Sequence, residues 1–429
     1  MRDGKPPIYF DNACTTLVPQ QVIRAITDYY EQHPACGGGR SRHWFAEEVI
    51  AEIDGDAAAE IEGSRQIIAD FINAGSEKEI VFTANASHAI NIVALGFPFR
   101  RGDVVLLTDR EHNSNLVPWL RLQNKGSIRV DYCGTGEDGA FDLEAFRGKL
   151  ESGPVRLVSM AYTSNVTGCT LPAKAIIDLA HCCGARVLLD AAQTAPHRAM
   201  DVQDLDVDFL AFSIHKMCGP RGVGILYGKG ALLRQAEPGI GDDGEDAIEP
   251  VLLGGGAVHD ATYQGYRLLD PPERFEVGVQ NYAGQIAAGA AVNYLQAIGM
   301  DRIDKRETEL NGFLTEELLK RYGDTGWFRI IGPREAAQRG GLLTFEIKRP
   351  NAVGITEELS ARSSIMIRDG VFCVHSYFNK LYGEGWTRPK PPSEHKMVYR
   401  LSLYFYNTLE ECRTFLDTLH DIFEERSYI

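Results

Sequence analysis

Between residues 80 and 227 the chain repeats one pattern: a strand-length apolar run, a segment of helical period, then another apolar run. The runs Ile80-Val81-Phe82, Val104-Val105-Leu106-Leu107, Val155 to Met160 and Val187-Leu188-Leu189 are continuous rather than alternating. Strands of that kind are buried on both faces, and alternation with helices predicts a mainly parallel sheet covered on both sides. Two further runs, Phe209 to Phe212 and Gly222 to Tyr227, lie only about ten residues apart. That is too close for a helical crossover and predicts an antiparallel pair, so the sheet is expected to be mixed. Residues 20–74 carry helical spacing (Val22, Ile26, Tyr29; Ile61, Ile67, Ile68, Phe71), read as two helices around the glycine loop 34–40. Further helices are predicted over 282–298 and 301–322. Strand-like runs at 342–347 and 398–403 then open a second domain, while the glycine-rich stretches 239–246 and 254–256 read as a mobile loop or one that a ligand approaches.

At 429 residues the chain exceeds the ~150 residues of a typical domain by two- to threefold, which predicts one large and one smaller domain. A net charge of −15 offers no basic surface for a nucleic acid or an anionic membrane, and neither is expected as a partner. No run approaches the ~20 apolar residues of a bilayer span, and Met1 to Pro7 lacks the apolar core of a signal peptide, so a cytoplasmic location is expected. The nine cysteines show no paired CxxC spacing, which predicts reduced thiols rather than a disulfide framework or a metal site.

Chemistry is expected at the carboxyl ends of the strands, where ligands of open α/β sheets bind. Asp190-Ala191-Ala192-Gln193 follows one run, Ser213-Ile214-His215-Lys216 a second, and Ala161 to Asn165 a third. Taken singly, each is an ordinary strand-end polar group. Together they place a lysine, a carboxylate and an amide around one pocket. A desolvated lysine amine forms an imine with an aldehyde readily, and pyridoxal phosphate supplies that aldehyde, so Lys216 is the expected Schiff-base anchor. The cofactor's pyridinium nitrogen needs a carboxylate, which Asp190 can provide. Its phosphate needs donors, for which Ser213, His215 and the helix start Ala86-Ser87-His88 are candidates.

Beyond these residues the chain resembles the class V aminotransferase group, and within it the cysteine desulfurases and selenocysteine lyases. The resemblance runs in order through Tyr9 to Ala13, Arg40 to His43, Ala86 to Asn91, Glu111 to Trp119, Ser164 to Gly168, Asp190 to Gln193, Ser213 to Lys216, Gly219 to Gly224 and Arg274 to Gly278. It implies the fold type I of pyridoxal-phosphate transferases: a mixed, mainly parallel seven-stranded sheet in a large domain over 20–290. A smaller α+β domain would be built from 1–19 and 291–429. It implies that His112 stacks on the cofactor ring and takes part in catalysis, that Asn165 and Gln193 bond its phenolic oxygen, and that His43 serves the substrate. It also implies a homodimer in which the segment after Glu276 reaches the partner's phosphate site.

A second resemblance addresses the reaction. Arg368-Asp369-Gly370-Val371-Phe372-Cys373 is similar to the nucleophile segment of the SufS-like (type II) desulfurases. It implies that Cys373 is the nucleophile, that Arg368 and Arg400 hold the carboxylate of an amino acid substrate, and that a sulfur-acceptor protein exists. The reaction implied converts L-cysteine to L-alanine and leaves a persulfide on Cys373. The chain departs from the pattern where Val371 and Phe372 replace paired histidines, with His375 following the cysteine instead. Val279 replaces a threonine, Ala86 and Ser87 replace a threonine pair, and about twenty extra residues from Tyr377 to Glu394 precede Arg400. The alternatives are a lyase, epimerase or aminotransferase acting on another amino acid, selenocysteine included, with Cys373 structural, and a scaffold that has lost catalysis.

Overall fold

The computed structural model describes all residues except 1–5, 38–40, 60, 137–138, 235–245 and 384–396. Its centre is a seven-stranded sheet of β1 (Ile80–Thr83), β2 (Val104–Thr108), β3 (Arg129–Cys133), β4 (Val155–Ala161), β5 (Arg186–Asp190), β6 (Phe209–Ser213) and β7 (Gly224–Gly228). The order across the sheet is β1-β7-β6-β5-β4-β2-β3. Strands β2 to β6 pair in parallel, and β7 runs antiparallel to both β1 and β6. The mixed sheet expected from the spacing of the last two runs is therefore present.

The continuous apolar runs explain why this sheet has two covered faces. Because side chains alternate along a strand, Val104, Leu106, Val187, Leu189, Leu210 and Phe212 enter one core cluster, and Val105, Leu107, Leu188, Phe209 and Ala211 enter another. The alanine-rich helix Tyr282–Ile298 covers the first face together with Gln20–Gln32 and Ser64–Phe71, and the helices Ala86–Gly96 and Asn113–Asn124 pack together on the second. Edge strand β3 is the exception, with Arg129 and Tyr132 exposed.

Residues 20–74 form three helices rather than the two read from their spacing: Gln20–Gln32, Trp44–Asp54 and Ser64–Phe71. Gly55, at φ 89°, ends the second helix, and the short bridge Asp56 to Ile61 turns the chain before the third. Of the stretch 239–246, residues 239–245 lie outside the described residues, whereas Asp246 is buried and accepts hydrogen bonds from Arg156 and Arg186.

A second, four-stranded sheet consists of β8 (Phe328–Ile331), β9 (Leu342–Ile347), β10 (Arg368–Asp369) and β11 (Met397–Ser402), in the antiparallel order β8-β9-β11-β10. The helices Met300–Tyr322 and Leu409–Glu425 share its core. The N-terminal strand Ile8–Tyr9 joins this half through Ile365–Met366, and Asp11 bridges to Ser402. Residues 11–16 thus run from the small sheet toward the carboxyl ends of the large one, where Thr16 N bonds His215 O at 3.0 Å. Among the described residues no helix is long and apolar enough to cross a membrane.

Candidate active site

A cavity of ≈ 350 Å³ opens where the ends of β4, β5 and β6 meet the small sheet. Asp190, the last residue of β5, and Lys216, on the short 3-10 turn after β6, both line it. Their environments push the two groups toward neutrality. Burial raises the Asp190 carboxyl against the pull of the Ala192 amide and Lys216, and burial lowers the Lys216 ammonium against the pull of Asp190. A neutral amine is the form that attacks an aldehyde, and a buried carboxylate without a bonded cation suits a pyridinium nitrogen.

The start of helix Ala86–Gly96 forms one wall. Asn85 caps it by accepting from His88 N at 3.0 Å, and Ala86 N donates to Ser213 Oγ at 2.8 Å, leaving the Ser213 hydrogen for an acceptor in the cavity. Ser87 Oγ lies 2.6 Å from Ser114 Oγ. This helix start approaches β7 so closely that a Cβ on Gly224 would stand 2.4 Å from the Asn85 backbone. Amides and hydroxyls gathered at a helix N-terminus form an anion site of the kind a phosphate occupies. His215 also lines the cavity, and burial, with Lys216 and Arg221, lowers its pKa to about 4.

His112 sits at the N-cap of helix Asn113–Asn124 and accepts from Ser114 N through Nδ1 at 3.1 Å. Burial, then the charges of Lys216 and Arg400, hold its pKa down at about 4, so a neutral ring faces the cavity. Asn165 and Gln193 line the cavity with part of their hydrogen bonding already committed. Asn165 Nδ2 donates to Phe372 O at 2.8 Å, Gln193 Nε2 donates to Ala13 O at 2.8 Å, and the buried Gln193 Oε1 has no partner among the described residues. An orphaned amide oxygen is expensive to bury. Together with the anion wall, Asp190 and Lys216, it gives a lining whose donors and acceptors fit pyridoxal phosphate.

Arg368 and Arg400 are direct cross-strand partners on β10 and β11. Like charges placed opposite repel, and Asp11 relieves them: its two carboxylate oxygens lie 3.3 Å from Arg368 Nε and 3.3 Å from Arg400 Nη2. Arg400 is 2% exposed. It donates to Asn165 O at 3.1 Å and rests its guanidinium 4.8 Å from the centre of the Phe372 ring, while its buried Nε has no partner among the described residues. Arg368 Nη2 donates to Cys14 Sγ at 3.0 Å. Two guanidinium groups with donors left over form a receptor for a carboxylate.

Cys373 is exposed and lines the same cavity. The apolar neighbours that would also have suited a core strand instead form a loop: Phe372 and Val374 are buried in a small cluster with Val166, Ile331, Tyr377, Phe378 and Val398. Phe372 (φ 48°) and Cys373 (φ 58°) are consecutive left-handed residues, a conformation costing about 1 kcal/mol or more for each. Both carbonyls are held, Phe372 O by Asn165 Nδ2 and Cys373 O by Asn113 N, each at 2.8 Å. Asn113 Nδ2 lies 2.9 Å from His375 Nδ1.

Of the residues singled out in the sequence, His43 and His88 are not among those lining the cavity. His43 caps helix Trp44–Asp54 through the amide of Ala46, and His88 Nδ1 accepts from Ala84 N at 3.1 Å. Asp11, Thr163 and Ser114, which stand in the segments singled out above but were given no role there, and Cys14 all lie at or against the cavity. Asp11 carried a usable signal, since it is the one charged residue in the Tyr9 to Ala13 segment. Of the extra residues from Tyr377 to Glu394, those to Tyr382 complete the helix His375–Tyr382, and 384–394 lie outside the described residues.

The comparisons agree with this architecture. The chain is 36% identical over 431 residues to a probable cysteine desulfurase of Streptomyces coelicolor, covering 98% of this chain and 93% of that protein. The apo structure of a cysteine desulfurase from Thermococcus onnurineus superposes with a TM-score of 0.84 at 33% identity, covering 98% of this chain and 95% of that one. An Escherichia coli cysteine desulfurase solved in an S-sulfonic acid form gives 0.82 at 28% identity, covering 97% and 95%. The family profile described as Aminotransferase class-V matches residues 8–415, from the N-terminal strand Ile8–Tyr9 into the last helix Leu409–Glu425. The chain therefore belongs to the class-V aminotransferase family.

Proposed function

We propose that this chain is a pyridoxal-phosphate-dependent cysteine desulfurase of the SufS-like type, converting L-cysteine to L-alanine and retaining the sulfur as a persulfide on Cys373. The observation that carries the reading is the exposed Cys373 thiol on the wall of the cavity that holds Lys216, Asp190 and the two arginines. Lys216 would anchor the cofactor aldehyde, Asp190 its ring nitrogen, and Ser213, Ser87, His215 and the Ala86 helix start its phosphate. His112, Asn165 and Gln193 would flank the ring. Bound there, pyridoxal phosphate supplies an electron sink for the substrate α-carbon.

The chain's own groups do the rest. Arg368 and Arg400 orient the substrate carboxylate, and the freed Lys216 amine, kept neutral by burial, takes the α-proton. The Cys373 thiolate attacks the substrate sulfur, so that an S–S bond forms as the S–Cβ bond breaks. The electron pair of the broken bond stays with Cβ, which takes the proton given up by the substrate thiol, and Lys216 returns the α-proton to Cα, so that alanine leaves. The relatives named as cysteine desulfurases at comparable length support this assignment.

We further read 20–290 as the cofactor domain and 1–19 with 291–429 as the domain carrying the Cys373 loop. The enzyme acts as a homodimer. This is supported by Leu252, Leu253, Tyr263, Tyr266 and Val279, which are more than half exposed around the hairpin of Val258–Ala261 and Tyr266–Leu268. The persulfide is passed to an acceptor protein in the cytoplasm, a reducing compartment that suits nine free cysteines. The test is to incubate the purified enzyme with L-cysteine and measure alanine together with persulfide on the protein. Cys373→Ala should abolish persulfide and lower alanine release at least tenfold, and full activity in that variant would overturn the sulfur step.

A further inference from the structure

Glu111 is 1% exposed, directly precedes His112, and has no part in the mechanism above. Its carboxyl is the meeting point of three elements that shape the cavity. Oε1 accepts from Thr108 Oγ1 at 2.5 Å and Thr108 N at 3.3 Å, at the end of β2. Oε2 accepts from Asn115 Nδ2 at 2.6 Å, in the first turn of the helix that His112 caps, and from Ala161 N at 2.8 Å, the last residue of β4. Asn115 is held in turn by Ser159 Oγ at 2.5 Å and Trp119 Nε1 at 3.2 Å. Ala161 lines the cavity and is the registered neighbour of Asp190 on β5. Tyr162 N bonds Asp190 O at 2.9 Å, so the Ala161 amide points away from β5, and β4 lies between the Glu111 carboxyl and Asp190.

Among the described residues no cation lies at bonding distance from Glu111, and a buried carboxyl so placed is costly unless it is used. Here four donors converge on it. One of them, the Thr108 hydroxyl, can turn to accept if the carboxyl carries a proton. We propose that Glu111 is a positioning residue of the cofactor site. It fastens the ends of β2 and β4 to the helix that presents His112, and it sets a second buried carboxyl across β4 from Asp190, so that positive charge on the cofactor is balanced by two carboxyls rather than one. Asp190, across β4, is the ionisable group whose charge acts on Glu111, and the bonded partners, Thr108, Asn115 and the Ala161 amide, are neutral. Burial raises the Glu111 carboxyl to about 7, with Asp190 adding to that rise. The second charge is therefore present above neutral pH and withdrawn below it. The inference rests on the cofactor reading and does not depend on the sulfur chemistry.

The test uses holoenzyme and Glu111→Gln, which keeps the shape and can turn its amide nitrogen toward the Thr108 hydroxyl. The pH titration of the bound cofactor's absorbance is the readout. Losing the charge should move its midpoint down by about one pH unit, the size a single buried neighbour imposes. The spectra of variant and wild type should diverge above pH 7 and converge below it. Thr108→Val, which removes a donor and so delays ionisation of the carboxyl, should shift the midpoint in the same direction by less, and it serves if the glutamine variant does not fold. A folded variant with full cofactor content and an unmoved midpoint would overturn the charge role, even if its melting temperature fell. A wild-type protein without a cofactor chromophore would instead sink the proposed function.

Discussion

Replacing Asp11 by asparagine tests how the two arginines coexist. The side chain keeps its volume and loses only its charge, leaving Arg368 and Arg400 opposed across β10 and β11. At 3.3 Å and an effective dielectric constant of ~20, each carboxylate–guanidinium attraction is worth at most about 5 kcal/mol. The Arg368 contribution must be discounted heavily, because that side chain is 41% exposed and solvent screens it. Arg400, 2% exposed, carries most of the effect, and stranding one partner of a buried pair costs roughly 3 kcal/mol. With an unfolding entropy of ~2.1 cal/mol/K per residue over 429 residues, that corresponds to a melting temperature lower by about 3 °C. Affinity for a carboxylate ligand should move the other way, since Asp11 competes for the same guanidinium groups. Thermal melts with and without alanine read both effects: Asp11→Asn should melt lower, and alanine should raise its melting temperature by more than it raises that of the wild type. Equal melting of the two proteins, or equal stabilisation by alanine, refutes the reasoning.

Three shorter predictions follow from other contacts. Phe372→Leu keeps an apolar side chain but takes the π face from Arg400, a loss of about 1 kcal/mol that should appear as a roughly fivefold rise in KM with kcat little changed. Steady-state kinetics decide it, and a fall in kcat alone counts against it. Gly224→Ala forces a Cβ against the Asn85 backbone, so the purified protein should carry visibly less cofactor, measured as chromophore per chain. His112 and His215 are held near pKa 4, below the unfolded value of ~6.5. The unfolded chain therefore binds more protons over that interval, and stability should be lost as pH falls from about 6.5 to about 4. Urea unfolding of cofactor-free protein at pH 7 and pH 5 measures the loss, and His215→Asn should lessen it.

The large sheet was legible because continuous apolar runs leave few alternatives: Val104 to Leu107 and Val187 to Leu189 feed two cores on alternate residues. The strand-end residues Asp190 and Lys216 were legible for the same reason, since the ends of buried strands are where polar side chains meet a ligand. The division of residues 20–74 into three helices was not, because Gly55 at positive φ acts through backbone geometry that periodicity does not register. Asp11 was overlooked because its function depends on a pairing between residues 368 and 400, far along the chain, that makes two like charges neighbours. The Cys373 loop was ambiguous for a related reason. Val371, Phe372 and Val374 have the composition of a strand, and only the small cluster beneath them, together with two carbonyl contacts from the other half of the molecule, turns them into a loop with an exposed thiol.

On the proposed function, those two carbonyl contacts bear on how sulfur leaves. The carbonyl of Cys373 and that of its predecessor are both tethered, to Asn113 and Asn165, which resists an outward swing of the loop backbone. A persulfide on Cys373 would then be delivered in place, with the recipient thiol coming to the exposed sulfur at the cavity wall. Cutting the Asn165 tether, by Asn165→Ala, would loosen that hold.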